Sequence, residues 1–328
     1  MSTPILDARG LRKTYKVRGR GKEAPRTVEA VKGVDITVDP GEIVGFLGPN
    51  GAGKTTTLRM LTTLLDPSGG TATVNGYDLA KDPVGVRRSI GYVAQMGTTD
   101  SSAVAGEELV DQARLYGIDR GVAAERGKAL LSGLDLDGIW ERKCGTLSGG
   151  QRRRLDIAMG LIHEPRMVFL DEPSTGLDPQ SRANLWEHIR RVRDDFDTTV
   201  FITTHYMDEA DALSDRLLVI DHGEIVGAGT SEELKRQVGG DQVLLTASNT
   251  DTAPALADAA SRILDGAPAE VDGDVVRLTV PHGASTLPQL LRGLGDDHDV
   301  VGVEVRRPTL DDVFLTMTGR SLRDEVEV

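Results

Sequence analysis

The chain has 328 residues, enough for about two domains, and its 38 basic and 51 acidic side chains give a net charge of −13. This acidic balance argues against nonspecific nucleic-acid binding, in which Lys and Arg neutralise phosphates. The single cysteine excludes an internal disulfide. Because no apolar run approaches the roughly 18 residues that span a bilayer, we expect any membrane partner to be a separate chain.

Short apolar runs alternate with helical segments over the first 240 residues, which predicts an α/β fold with a parallel central sheet. Strands are predicted at residues 11–15, 34–38, 43–47, 71–74, 90–94, 167–170, 199–203 and 217–220, and helices at residues 53–64, 150–162 and 179–195. The basic residues 18–27 are interpreted as a solvent-exposed hairpin tip. Residues 96–164 are helix-rich, and we interpret them as a helical subdomain inserted into the sheet.

Residues 48–55 read GPNGAGKT and fit the phosphate-loop pattern GxxxxGK[ST] in full. Glycines in such a loop let successive backbone N–H groups converge on a phosphate, at the positive end of the following helix. Lys54 is expected to reach the β- and γ-phosphates, and the Thr55 hydroxyl is the expected Mg²⁺ ligand. The candidate nucleotide contacts here are Gly48, Asn50, Gly51, Gly53, Lys54, Thr55 and Thr56.

Two carboxylates follow the predicted buried strand at residues 167–170. Asp171, at the strand end, can hold Mg²⁺ through water, as the second metal-binding element of phosphate-loop enzymes does. Glu172 comes next and points to the opposite side. From the residues alone, Glu172 also fits a surface carboxylate beside a functional aspartate.

The run LSGGQ at residues 147–151 lies between the phosphate loop and the carboxylate pair. Small residues at a helix N-terminus expose backbone donors to an anion. Because the chain has no second phosphate loop, that anion should come from a partner. The next three residues, Arg152, Arg153 and Arg154, fit a solvated helix face that packs on the partner, and also a nucleic-acid patch.

Together and in this order, the three motifs resemble one family, the ATP-binding cassette ATPases. The resemblance implies that family's fold, with a phosphate-loop core, an antiparallel β subdomain and an inserted helical subdomain. It also implies ATP and Mg²⁺ as cofactors. In the family, the LSGGQ run caps the nucleotide held by a second cassette, so the nucleotide lies in a homodimer interface. The residues assigned to this capping role are Ser148, Gly149, Gly150 and Gln151.

The same resemblance assigns further roles near the γ-phosphate. Glu172 would polarise the attacking water, and His205, at the end of a predicted strand, would contact the γ-phosphate. Gln95 would touch Mg²⁺ and the water and would relay nucleotide state to the membrane partner. Asp178 would belong to a loop that crosses the dimer. The catalytic set is therefore Lys54, Gln95, Glu172 and His205, and the metal set is Thr55, Gln95 and Asp171.

Tyr15 ends the first predicted strand. Its aromatic face could stack on the adenine ring. The alternative is an ordinary core or edge tyrosine of the sheet. We favour the adenine contact and include Tyr15 among the candidate nucleotide contacts.

Composition changes near residue 240, and residues 241–328 contain sixteen acidic side chains, seven arginines and no lysine. Strands are predicted at residues 242–247, 275–280 and 300–305, and helices at residues 252–264, 285–293 and 310–319. This pattern predicts a small α+β accessory domain, ferredoxin-like in one interpretation, with a dimerisation or regulatory role. We therefore divide the chain into residues 1–240 and 241–328. The last helix has an apolar face that we expect to be buried.

The ending PTLDDVFL at residues 308–315 resembles the ATPase subunits of antibiotic exporters, of the daunorubicin-resistance type. The resemblance implies ATP hydrolysis that drives efflux of a hydrophobic small molecule through a separate permease, at the cytoplasmic face of the membrane and without nucleic acid. Residues 104–108, VAGEE, depart from the family's usual pattern and leave the substrate subclass open. The alternatives are a soluble ribosome- or DNA-associated cassette ATPase and a drug-sequestering ATP-binding protein.

Overall fold

A computed structural model describes residues 3–17, 26–295 and 300–319. The described residues form two compact units, the first ending at Ser231 and the second beginning at Glu232. Most of the predicted hairpin tip lies outside the described residues, and only its last two positions are seen, at the start of a strand.

The first unit contains three groups of elements in chain order. Its strands are β1 (Leu6–Val17), β2 (Arg26–Val38), β3 (Ile43–Leu47), β4 (Gly69–Val74), β5 (Tyr77–Asp78), β6 (Ile90–Val93), β7 (Met167–Asp171), β8 (Thr199–Thr204), β9 (Arg216–Asp221) and β10 (Glu224–Gly229). Its helices are α1 (Lys54–Leu61), α2 (Pro83–Ser89), α3 (Ala105–Leu115), α4 (Arg120–Gly133), α5 (Gly149–Leu161), α6 (Pro179–Phe196) and α7 (Met207–Leu213). A 3₁₀ turn, Cys144–Thr146, precedes α5.

The central sheet has the strand order β10-β9-β3-β8-β7-β6. All neighbouring pairs are parallel except β10 with β9, which confirms the predicted parallel core. Every residue of β3, β7 and β8 is buried. Burial on both faces explains why these strands have continuous apolar runs rather than alternating ones.

A second sheet of this unit is antiparallel, in the order β2-β1-β4-β5. Its first strand is longer than predicted, because β1 continues two residues beyond Tyr15 and pairs along its length with β2. The sheet shares a hydrophobic core with α1, through side chains such as Ile36 and Leu58.

Helix α1 ends three residues earlier than the sequence predicted. Thr63 adopts a left-handed conformation with φ of 61°, and the amides of Leu64 and Leu65 turn back to the carbonyl of Arg59. The Thr62 hydroxyl also donates to the Leu58 carbonyl at 2.9 Å. Such a turn satisfies the carbonyls that a helix end leaves free.

The predicted helical insertion consists of α3, α4, the 3₁₀ turn and α5. Buried leucines such as Leu109, Leu130 and Leu155 join these helices into the same core as the parallel sheet. Val104 and Lys143 make an isolated β-bridge at the base of the insertion. Helix α5 therefore belongs to the insertion while packing directly on the sheet that holds the carboxylates.

The second unit begins in α8 (Ser231–Val238) and forms a small α+β domain. Its further elements are β11 (Asp241–Ala247), α9 (Ala253–Ile263), β12 (Ala269–Asp272), β13 (Val275–Val280), α10 (Gly283–Leu294), β14 (Val300–Arg306) and α11 (Leu310–Thr318). The sheet is antiparallel in the order β12-β13-β11-β14. This order is that of a ferredoxin-like split βαβ arrangement.

The apolar face of α11 is buried as expected. Leu310, Val313 and Phe314 are each at most 2% exposed, whereas Leu315 is 47% exposed. A capping box fixes the start of the helix, because Thr309 and Asp312 exchange side-chain and backbone hydrogen bonds.

We also searched the helices for membrane spans. Within residues 3–17, 26–295 and 300–319, every helix is too short or too polar to cross a bilayer.

We expect Phe314→Asp to destabilise the second unit, because it places a charge where a large side chain is 1% exposed. Losses of about 3–5 kcal/mol are typical when a buried Phe is removed. Chemical denaturation followed by limited proteolysis of residues 232–319 measures the effect. Leu315→Asp, at the exposed neighbouring position, is the matched control and should change stability by under about 1 kcal/mol. Equal effects of the two changes would contradict the assignment of Phe314 to the buried face.

Candidate active site

The phosphate loop connects β3 to α1 at the carboxyl edge of the parallel sheet. Two of its glycines are required by close packing. A Cβ at Gly48 would collide with the backbone of Ile220, and one at Gly53, where φ is 109°, would lie 2.7 Å from the carbonyl oxygen of Ala30. The loop can therefore follow this path only with glycine at these positions.

Lys54 lies inside the loop and is 4% exposed. Its Nζ donates to the carbonyl oxygens of Gly48 and Pro49 at 2.7 and 3.0 Å. It also forms an ion pair with Glu172 at 3.3 Å. The lysine charge thus points into the cradle where the loop pattern would hold phosphates.

Asp171 ends β7 beside two hydroxyl groups. Thr203 of β8 donates to its Oδ1 at 2.6 Å, and Thr55 of the phosphate loop donates to the same oxygen at 3.1 Å. Parallel pairing places Asp171 opposite Thr203. The sheet register therefore brings the predicted metal residues Thr55 and Asp171 together.

Glu172 begins the turn after β7 with a left-handed backbone, φ 43°. Its amide is held by Thr203, donating to both the carbonyl and the hydroxyl oxygen of that residue at 3.1 and 3.0 Å. A non-glycine residue in this conformation is uncommon and is often found at functional sites. The turn aims the carboxylate back at the phosphate loop.

Four side chains from different segments converge on the Glu172 carboxylate. Gln95 donates from Nε2 to Oε2 at 2.9 Å, and Thr175 donates to the same oxygen at 3.1 Å. His205 Nδ1 lies 3.2 Å from Oε2, while Lys54 lies on the Oε1 side. The structure therefore brings together the whole predicted catalytic set.

Burial alone would raise the pKa of Glu172. The hydrogen bond from His205 and the positive charge of Lys54 outweigh burial, and together with Thr175 they lower the pKa to about 2. The carboxylate is therefore ionised at neutral pH, and its charge is neutralised by the groups that would face phosphate.

The oxygen donors at this edge suit Mg²⁺, which prefers one or two carboxylates completed by substrate phosphates. Thr55 and Asp171 supply one hydroxyl and one carboxylate within hydrogen-bond distance of each other. Among the described residues, no group of three or more His, Cys, Asp or Glu could chelate an ion by itself. The residues present fit a metal held jointly with a nucleotide.

The LSGGQ residues make a local capping box at the start of α5. The Ser148 hydroxyl accepts from the Gln151 amide at 3.2 Å, and the Gln151 side chain accepts from the Ser148 amide at 3.1 Å. A Cβ at Gly149 would approach only Leu177, at 3.9 Å. Packing within one chain thus leaves room at Gly149, and this run is separate from the cluster around Glu172.

The other predicted nucleotide contacts lie around the phosphate loop. Tyr15 is 38% exposed and lies beneath the Lys13 ammonium, 5.5 Å from the ring centroid. It pairs with Val28 of β2, the strand whose Ala30 packs against the loop. The loop positions Asn50 and Gly51 are exposed, whereas Thr56 is half-buried in α1.

Asp178 occupies a different place, on the surface as the N-cap of α6. It accepts from the Ser181 amide at 2.9 Å and from the Ser181 hydroxyl at 2.6 Å. These hydrogen bonds lower the pKa of Asp178. Like the LSGGQ run, Asp178 does not join the Glu172 cluster.

The interpretation of the three arginines as a solvated helix face was wrong for Arg153. Its side chain is 7% exposed, and its guanidinium binds backbone carbonyls around the carboxylate pair. Sequence reasoning also missed Thr203 and Thr175. A hydroxyl residue at the end of a fully buried strand, next to the carboxylate strand, is the signal that would have indicated Thr203.

We expect the stability of the nucleotide-free chain to depend on Glu172 in acid. Its pKa falls from the ordinary 4.5 to about 2 on folding, so its ionised form stabilises the fold above about pH 4.5. That contribution is lost as the pH falls from about 4.5 towards 2, and it is on the order of 3 kcal/mol. The measurement is urea denaturation of wild type and Glu172→Gln across this range. Parallel pH profiles would contradict the prediction.

Comparison with known proteins identifies the family. The ABC transporter family model matches residues 31–175, and a model for the C-terminal domain of DrrA1-3-like ATP-binding proteins matches residues 229–318. The doxorubicin resistance ATP-binding protein DrrA of Mycobacterium tuberculosis is 39% identical over 313 residues, covering 94% of this chain and 92% of its own length. The linearmycin resistance ATP-binding protein LnrL of Bacillus subtilis is 33% identical over 98% of this chain and 100% of its own length.

Solved structures agree with this fold. The ATP-binding subunit of an ABC transporter superposes with a TM-score of 0.59 at 26% identity, covering 71% of this chain and 92% of its own. A dimeric post-hydrolysis state of an ATP-binding cassette with ADP and Pi shares the fold, with a TM-score of 0.61 at 24% identity, covering 69% of this chain and 98% of its own. The predicted fold class is therefore confirmed, and the chain belongs to the ATP-binding cassette family as an ATP-binding ATPase subunit of the drug-resistance exporter type.

Proposed function

We propose that this chain uses ATP hydrolysis to drive efflux of a hydrophobic small molecule through a separate membrane subunit. One observation carries the hydrolytic part of the proposal. Lys54, Gln95, Glu172 and His205 come from four different segments and meet within 3.3 Å of a single carboxylate. A base held beside phosphate-binding groups is the arrangement that attack of water on a γ-phosphate requires.

In the proposed reaction, Glu172 accepts a proton from water as the water oxygen bonds to the γ-phosphorus. The bond from that phosphorus to the bridging oxygen of ADP breaks, and ADP leaves with the electron pair. Gln95, through its amide beside Glu172, orients the water. Lys54 and His205 turn from Glu172 to the phosphate oxygens, which leaves the carboxylate free to take the proton.

We assign the metal to Thr55 and Asp171, with Gln95 close by. When bound, Mg²⁺ neutralises charge on the phosphate oxygens. The chain's own contribution is to hold the two ligands together, since Thr203 fixes the Asp171 oxygen that also faces Thr55.

The LSGGQ run and Asp178 would act on the nucleotide of a second copy, giving a homodimer with ATP in the interface. The support is that neither joins the Glu172 cluster within one chain, and that Gly149 has no close neighbour that would demand a glycine. A related cassette of the same fold is described as dimeric.

The membrane partner would bind beside the Gln95 segment. Met96 is 84% exposed and Leu115 is 82% exposed. Their neighbours Gly97 and Gln112 line one small cleft between β6, α3 and α5, so the two apolar side chains flank the same surface. Exposed apolar side chains of this size are typical of interaction sites. Such a partner would place the subunit at the cytoplasmic face of the membrane.

The efflux direction and the hydrophobic cargo are inferred from the relatives, which are described as resistance proteins for doxorubicin and linearmycin. Drug-stimulated ATP hydrolysis by the chain reconstituted with its membrane subunit tests this part of the proposal. Stimulation by an amphipathic antibiotic supports it, whereas binding of drug to the isolated chain without turnover would favour sequestration.

Glu172→Gln should retain ATP binding and lose about 10²- to 10⁴-fold in turnover, because a positioned proton acceptor contributes that much. The closed ATP-bound dimer should also accumulate, since it can no longer decay by hydrolysis. Single-turnover hydrolysis and size-exclusion chromatography with ATP are the measurements. Glu187→Gln, which changes an exposed glutamate on α6, is the control. Turnover within a few-fold of wild type would remove Glu172 from the mechanism.

Co-expression of Ser148→Arg and Lys54→Ala chains should restore hydrolysis that neither variant shows alone. Their mixed dimer contains one site with an intact phosphate loop and an intact LSGGQ run. The double variant co-expressed with Lys54→Ala contains no such site and serves as the control. If the wild type is active and the two mixtures hydrolyse ATP equally slowly, the sites are not shared between copies.

A further inference from the structure

Arg153 is a buried arginine with three separate targets. It lies one turn into α5, after the LSGGQ run, and is 7% exposed. Its Nε donates to the carbonyl oxygen of Pro173 at 2.8 Å, its Nη1 to that of Ala94 at 2.6 Å, and its Nη2 to that of Asp171 at 3.0 Å. A second, longer contact from Nη1 reaches the Gln95 carbonyl at 3.5 Å.

Each of these carbonyls belongs to a segment that carries a candidate catalytic or metal residue. Ala94 precedes Gln95, Asp171 is the metal carboxylate, and Pro173 follows Glu172 directly. The guanidinium is planar, with its donors in a rigid fork. One side chain therefore fixes the distances among three catalytic segments that are far apart in sequence.

The same helix holds the Gln95 segment at a second point. Asp156, one turn beyond Arg153, is 5% exposed, and its Oδ1 accepts from the Thr98 amide at 3.3 Å. Arg153 and Asp156 stand three residues apart and so share a helix face. Residues 94–98 are thus attached to α5 on both sides of Gln95.

A buried guanidinium is costly unless its donors are satisfied. Burial lowers the pKa of Arg153, and the charges of Asp156, Asp171 and Glu209 counteract that effect. Arginine stays protonated in proteins, so the fork keeps all its donors. A lysine at this position would carry the charge but could not span the three carbonyls in one plane.

The neighbouring arginine makes contacts of a different kind. Arg154 Nη1 donates to the carbonyl oxygen of Leu134 at 2.9 Å and lies 2.9 Å from His188 Nε2. These partners belong to the end of α4 and to α6. Two adjacent arginines on one helix therefore serve different purposes, since Arg153 alone reaches the segments around Asp171.

We propose that Arg153 is a positioning residue that joins the LSGGQ helix to this chain's own hydrolytic site. Through it, α5, Gln95, Asp171 and Glu172 move as one body. Engagement of the LSGGQ run by the nucleotide of the second copy then sets the geometry at the site of the first. This inference rests on the proposed sharing of nucleotide between copies.

The first test is steady-state hydrolysis of Mg-ATP by the full chain carrying Arg153→Gln, Arg153→Lys or Arg154→Gln. Small displacements of catalytic groups cost about 10²-fold in rate, and we expect a loss in kcat of that order for Arg153→Gln. KM and the affinity for a fluorescent ATP analogue should stay within about threefold, because Lys54 and its loop make no use of Arg153. Arg153→Lys should recover part of the loss, and Arg154→Gln should resemble wild type.

The second test is a double-mutant cycle with Gln95→Ala. If Arg153 acts by holding the Gln95 segment, the double variant should lose clearly less than the product of the two single losses. Multiplicative losses would overturn the proposal. So would a normal kcat per nucleotide-binding site in Arg153→Gln, since a purely structural residue changes only the folded fraction.

Two further outcomes are interpretable. If Arg153→Gln does not fold, the cycle is carried out with Arg153→Lys under the same criteria. If wild type itself does not hydrolyse ATP, the proposed function fails. If wild type is active and only the cycle is multiplicative, the positioning role alone is lost.

Discussion

Parallel pairing of β7 with β8 is the constraint on which the site depends. It sets Asp171 opposite Thr203, so that one hydroxyl contacts the metal carboxylate and also accepts from the Glu172 amide. Pairing of β3 with β8 places the phosphate loop at the same edge. Because all three strands are buried throughout, this edge cannot shift without disturbing the core, and the polar groups keep their relative positions.

The charges at that edge are balanced without any nucleotide. Glu172 neutralises Lys54 and contacts His205, and these partners hold its pKa far below the ordinary value. A phosphate entering the loop would compete for the same two partners. Nucleotide binding and release of the base are therefore one event, since a group cannot bind phosphate and Glu172 equally well at the same time.

The sequence predicted most of the fold, because the long buried strands and the amphipathic helices carry strong periodic signals. It missed β12, whose four residues, AEVD, are half polar and pair only as a hairpin with β13. It also placed Arg153 in solvent. Composition treats an arginine as exposed, and only the backbone path of three distant segments shows that their carbonyls can enclose it.

Within the candidate site, motifs predicted the residues that meet at Glu172, but not what holds them there. Thr203, Thr175 and Arg153 act through backbone groups and hydroxyls, which have no spacing rule in sequence. The LSGGQ residues differ again, since their side chains are satisfied within α5 while the N-terminal amides of a helix still favour an anion. A single chain supplies no phosphate to that end, so the hydrolytic site of one copy is complete only when α5 of another closes it.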